Sequence, residues 1–176
     1  VTKVAIENLI AQMNGQQPQE QLNLAVVEPG HVAVIAVSPG MGISRIFASL
    51  GVAGIVEGGQ TMNPSTEQIL HAFENLPTDQ IIILPNNKNI VLAAQTAATM
   101  TVKKVAVIPT KSIPQGLSAV LCLDPEGDMD DIVADMKSAM AEVESGEITV
   151  ATRSIEINGV QVNQGEVIAL LNGQLV

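Results

Sequence analysis

Hydroxyl, carboxamide and lysine side chains gather in four short segments of this chain, and the chemistry they offer is that of holding an anion or a protein surface. Ser38 opens the first segment, 38–42. Gly58, Gly59, Gln60, Thr61, Asn63, Ser65 and Thr66 lie in the second, 57–66; Asn86, Asn87, Lys88 and Asn89 in the third, 85–89. Thr110, Lys111, Gln115 and Gly116 lie in the fourth, 109–116. Glycines let backbone approach a ligand closely, and small hydroxyl and amide groups supply donors and acceptors. Lys88 and Lys111 add positive charge, and free N–H groups at helix starts favour a phosphate or carboxylate. Ser38, Thr61 and Thr110 are candidate nucleophiles, but no base stands beside them. His31 falls before the first strand, His71 inside a helix, and Glu57 alone at a strand end. General acid–base catalysis needs a titratable group at the reacting atom, so these residues favour binding over catalysis. A phosphotransferase or phosphatase using a loop hydroxyl stays open as an alternative, as does a structural, dimerising domain.

The elements that must position these segments follow from the hydrophobic pattern. Apolar runs at 32–37, 54–57, 80–84 and 104–108 are too short for helices and are bounded by turn residues, which predicts buried strands. Each is followed by a helix. Ile43, Ile46, Phe47 and Leu50 recur at helical spacing and Gly51 closes that helix. Asn63 is the expected cap of the second, with Pro64 in its first position and Ile69, Leu70, Phe73 and Leu76 facing inward. The third is an alanine-rich helix over 89–100, and the fourth a short one over 114–121. Four strand–helix units predict an α/β fold: a mostly parallel four-stranded sheet with helices on both faces. Parallel strands bring all four polar turns to one edge, where such sheets bind ligands. Capping and turning account for any one such turn; polar density in successive turns points to a recognition surface.

Beyond Asp124 the pattern changes. Ile132, Val133, Met136, Met140 and Val143 predict a helix over 128–144 whose outer face carries Asp130, Asp131, Asp135 and Glu142. Alternating strands then follow, with Asn158-Gly159 and Asn172-Gly173 specifying tight hairpin turns. At the other end, Ile6, Leu9, Ile10 and Met13 predict a short helix over 3–13, and 15–21 is linker-like. The expected organisation is therefore an N-terminal helix and linker (1–29), a parallel α/β domain (30–124), and a helix with a small antiparallel β appendage (125–176).

Composition narrows the function classes. The formal net charge is −10 with no basic stripe, which argues against a nucleic-acid partner; a basic protein partner or solubility accounts for the acidity. Phe47 and Phe73 are the only aromatic residues, so the core is aliphatic. Cys122 lies in an apolar run and reads as a small buried hydrophobe. Residues 124–128 lack the ligand spacing of a calcium loop, and the methionines fall mostly at core helical positions. Neither glycine turn matches a nucleotide-binding motif. No stretch reaches the roughly 20 apolar residues that span a bilayer, and no secretion signal opens the chain, so a cytoplasmic location is expected. Beginning with Val, the chain reads as a piece of something longer.

Three strings, over 57–67 (EGGQTMNPSTE), 83–90 (ILPNNKNI) and 108–116 (IPTKSIPQG), resemble the C-terminal region of the catalytic protein of bacterial fatty acid kinase, a family also labelled dihydroxyacetone kinase-like or DAK phosphatase. That resemblance implies a fold related to the DegV and dihydroxyacetone-kinase group. It further implies a helical kinase domain, outside this chain, whose aspartates hold magnesium and ATP, so that no cofactor belongs to this fragment. The role it implies is to support phosphorylation of a fatty acid presented by a DegV-type carrier. The loops 58–66, 85–89 and 110–116 would bind that carrier or an anionic group, without a catalytic residue or a metal. A homodimer is compatible with it. The phosphatase label finds no support in these residues.

Overall fold

The structure, a computed structural model, describes residues 22–59, 61–157 and 160–176. The expected helix over 3–13, Gln60, and the Asn158-Gly159 turn lie outside the described residues. Strand β1 (Val32–Ser38) is buried at every position, because it has a strand on each side and helices above and below. Its neighbours are β2 (Gly54–Glu57) and β3 (Gln80–Leu84), and β4 (Lys104–Val107) lies beyond β3, giving the order β2-β1-β3-β4 with every pairing parallel.

The period-2 alternation of β1 sorts its side chains onto two cores. Val32, Val34 and Ala36 meet helices α1 (Gly40–Ser49), α4 (Ile113–Val120) and α5 (Met129–Ala141), with Phe47, Ala119, Val120, Met129, Ile132 and Met136 buried there. Ala33, Ile35 and Val37 meet α2 (Thr66–Glu74) and α3 (Val91–Thr99), with Ile69, Phe73, Ala94 and Ala97 buried there. The two phenylalanines thus anchor opposite faces, both fully enclosed. Removing either ring would cost about 3–5 kcal/mol.

Helix starts follow local chemistry, with one correction. The cap of α2 is Ser65, not Asn63. Its hydroxyl accepts from Gln68 N–H (3.2 Å) while Gln68 Oε1 accepts from Ser65 N–H (2.8 Å), a reciprocal capping box. Two exchanged bonds outweigh the preference for proline in the first turn, so Pro64 sits just outside the helix. Ser112 caps α4, and Asp128 caps α5 by accepting from Asp130 and Asp131 N–H groups.

The C-terminal part is antiparallel. β5 (Gly146–Val150), β8 (Val167–Leu171) and β9 (Gln174–Leu175) form one sheet in the order β5-β8-β9, and β6 (Ile155–Ile157) pairs with β7 (Val160–Val162) as a hairpin. The β8–β9 turn is made by Asn172 and Gly173, with φ of 52° and 80°, the positive values that a two-residue type I′ turn requires. Ahead of β1, Ala25 N–H bonds Val52 O at 3.0 Å and Val27 packs on the α2–α3 face. Among the described residues no helix is long and apolar enough to cross a membrane.

Candidate functional site

Because the four strands are parallel, their ends at Ser38, Glu57, Leu84 and Val107 lie along one rim. Strand order reverses between β1 and β3, the switch point where open α/β sheets usually leave a crevice. Here protein fills it. Asn86 is only 6% exposed; its Nδ2 donates to Val37 O at 2.8 Å, across the gap from the end of β3 to the end of β1. Thr110, fully enclosed, bonds it twice: Thr110 Oγ1 accepts from Asn86 N–H at 3.0 Å and donates to Asn86 Oδ1 at 2.8 Å. Gly116 packs on this pair, and a Cβ there would fall within 2.6 Å of Asn86 Cγ.

These three residues, expected to face a ligand, face inward. The reason is tertiary: loops from β1, β3 and β4 converge, and a buried carboxamide satisfies backbone and hydroxyl groups that water would otherwise reach. Asn86 also has φ of 57°, a left-handed conformation that asparagine tolerates better than most residues.

On the other half of the rim the glycines also serve packing. Gly58 N–H donates to Ser38 O at 3.1 Å, and a Cβ at Gly58 would lie 2.7 Å from Pro64 Cδ and 2.8 Å from Val37 Cγ1. A Cβ at Gly59 would lie 2.9 Å from Pro39 Cβ. The glycines therefore let the first two loops press together. Ser65 is occupied in the capping box, and Thr66 is half-buried. Asn87 Oδ1 accepts from Asn89 N–H at 2.9 Å, and Gln115 Oε1 accepts from Lys111 N–H at 2.8 Å, so both carboxamides shape their own turns.

Thr61, Asn63, Ser65, Lys88, Asn89 and Lys111 are exposed, together with Pro39, Met41, Glu57 and Met62. The two methionines are about half exposed (50% and 48%). Both fall in the polar turns 38–42 and 57–66, outside the helical apolar stripes where most of the methionines were expected. Lys88 and Lys111 form no ion pair among the described residues, on a chain of net charge −10.

The hydroxyls divide in the same way. Ser38 is fully buried and accepts from Ser44 Oγ at 3.2 Å, and Thr110 is held by Asn86, so neither has a base. Thr61 alone of the three reaches solvent. His71 lies near the far end of α2 beside Glu74, and His31 precedes β1 at the opposite edge. Among the described residues no three His, Cys, Asp or Glu side chains could share a metal ion. Cys122 is half-buried on the α1–α4–α5 face; burial, then the charge of Asp135, pushes its thiol above the ordinary 9.0.

The appendage is tied to this rim. The hydroxyls of Ser112, at the start of α4, and Ser145, just before β5, lie 2.6 Å apart, and Asn172 Oδ1 accepts from Ser145 N–H at 2.9 Å. Farther out, a shallow cleft of about 250 Å³ opens between the β5–β8 sheet and the β6–β7 hairpin, with Arg153, Thr149, Ile155 and Val162 in its wall. None of the expected site residues lines it.

A family model for the FakA-like C-terminal domain of fatty acid kinase matches residues 33–176. The chain is 37% identical over 179 residues to protein YloV of Bacillus subtilis, an alignment that takes in 99% of this chain and 32% of that protein. It is 40% identical to an uncharacterized protein of Staphylococcus haemolyticus and 39% identical to one of Staphylococcus aureus, again over 99% of this chain and 32% of each relative. The chain therefore spans about a third of the length of the curated relatives it matches.

Proposed function

The chain belongs to the FakA-like C-terminal family of fatty acid kinase, and on that premise we propose that it is a docking domain supporting a kinase that acts on fatty acids. In this reading the rim receives a DegV-type carrier and holds it so that the bound fatty acid's carboxylate is presented to a kinase domain elsewhere in the longer protein. ATP and magnesium belong to that other domain. The chain's own contribution is recognition and placement.

One observation carries the reading: the rim separates residues that hold it together from residues left free. Asn86, Thr110, Gly116 and Gly58 are enclosed, Gly59 is half-buried against Pro39, and together they make the platform unyielding. Thr61, Met62, Asn63, Lys88, Asn89 and Lys111 project from it to solvent. A rigid platform lowers the ordering cost of association. Exposed methionines adapt to a partner's apolar surface, and two cations on an acidic chain steer a partner carrying an acidic patch.

The test uses the full-length parent protein with its carrier. Lys88→Glu combined with Lys111→Glu is expected to raise the KM for the loaded carrier at least tenfold while kcat stays within about twofold, since binding is removed and chemistry is left in place. Unchanged KM with a folded variant would rule out the docking role. The alternative, a transfer reaction at a loop hydroxyl, rests on Thr61 alone, and Thr61→Ala would then abolish phosphate release.

A further inference from the structure

Among the described residues, strand β5 is an edge of the β5-β8-β9 sheet with no strand on its outer side. Ser145 O accepts from Asn172 N–H, and Ala151 N–H donates to Glu166 O, which sets the phase of the ladder with β8. Alternation then turns the backbone N–H and C=O groups of Gly146, Ile148 and Val150 away from β8, toward the open edge. Among the described residues none of these groups has another backbone partner.

The side chains around that edge are apolar and exposed. Ile148 is 80% exposed, Val150 53%, and Val167, beside Val150 on β8, 68%. With Ala169 and Leu171 they form one face of the sheet that carries no charged residue. An exposed apolar edge strand is a template for pairing with another chain.

We propose that two copies of this chain join through antiparallel pairing of β5 with β5, about a twofold axis at Ile148. Self-pairing centred there places Ile148 opposite Ile148 and Gly146 opposite Val150, so every outward backbone donor and acceptor of the strand is satisfied at once. A shift of two residues in either direction strands some of them. The charges agree with this register: Glu147 meets Thr149 of the other copy, and no like charges face each other, whereas like pairs directly opposite destabilise a sheet. The two uncharged faces then merge across the axis into one six-stranded sheet. Such a joint is isologous and closes on itself, so it yields a dimer and not a fibre.

Cysteine placement tests the register in the 176-residue chain carrying Cys122→Ser. Ile148→Cys puts a thiol opposite its own copy, with Cα atoms about 5.5 Å apart, inside the roughly 4.4–6.8 Å that a disulfide spans. Mild oxidation is expected to convert most of it to a covalent dimer. Val150→Cys faces Gly146 and is expected to stay monomeric on denaturing gels. Without cysteines, light scattering should show a concentration-dependent dimer that Ile148→Lys, which sets two cations on the axis, weakens at least tenfold; Thr152→Lys, beyond the strand, should leave it intact. A chain that is monomeric at all concentrations overturns the proposal. So does a dimer indifferent to Ile148→Lys, or equal cross-linking through positions 148 and 150.

Discussion

Asn86 and Thr110 hold each other through one shared hydroxyl: Thr110 Oγ1 accepts from the Asn86 backbone at 3.0 Å and donates to the Asn86 side chain at 2.8 Å. With the bond from Asn86 Nδ2 to Val37 O, this ties the ends of β1 and β3 to the loop after β4. Asn86→Ala removes the acceptor of the Thr110 hydroxyl proton and the donor to the Val37 carbonyl, and forces alanine into a positive φ. A loss of about 2–4 kcal/mol is expected, measured by urea unfolding of the isolated chain. A change below about 0.5 kcal/mol, the range of an ordinary surface substitution, would show that the brace does not hold the rim.

Gly116→Ala should destabilise as well, against the usual trend. In an exposed helix interior alanine is favoured over glycine by about 1 kcal/mol. Here the new Cβ would overlap the Asn86 carboxamide. Relieving that overlap breaks the brace, and a lowered Tm is expected where helix propensity alone gives a raised one.

The start of α2 can be located by two substitutions. Ser65→Ala removes an acceptor used by Gln68 N–H and should cost about 1 kcal/mol. Asn63→Ala, at an exposed position outside the helix, should stay within about 0.5 kcal/mol. The reverse order in thermal melts would return the cap to Asn63.

Cys122 links stability to alkaline pH. Its folded-state pKa is raised by burial and by Asp135, so the neutral thiol is the form that suits the native state. Its contribution is fully present below the unfolded thiol pKa and is lost as pH rises through the folded value. Stability of the wild-type chain should therefore fall more between neutral pH and pH 10 than that of Cys122→Ser. Parallel denaturation curves for the two proteins would show that the shift has no weight.

The docking role makes a salt prediction distinct from the kinetic one. If Lys88 and Lys111 steer an acidic partner, the association rate of the full-length protein with its carrier should fall as salt is raised, and the double glutamate variant should lose most of that dependence. A salt slope equal in both proteins would place the recognition elsewhere.

The sequence by itself determined the architecture. Short aliphatic runs alternating with stripes such as Ile69, Leu70 and Phe73 have one good solution, a parallel sheet covered on both faces, because backbone polarity and apolar burial must be met together. The Asn172-Gly173 turn was equally legible, since positive φ at two successive residues leaves few choices. Which polar residues of the rim face solvent was decided only by tertiary structure. Asn86 and Asn89 belong to the same turn and look alike in a string, yet one is enclosed and the other exposed. The difference is made by Val37, Thr110 and Gly116, residues 49, 24 and 30 positions away from Asn86 in the chain. Local pattern reports what a residue is able to bond; only the packed loops decide whether protein or water supplies the partner.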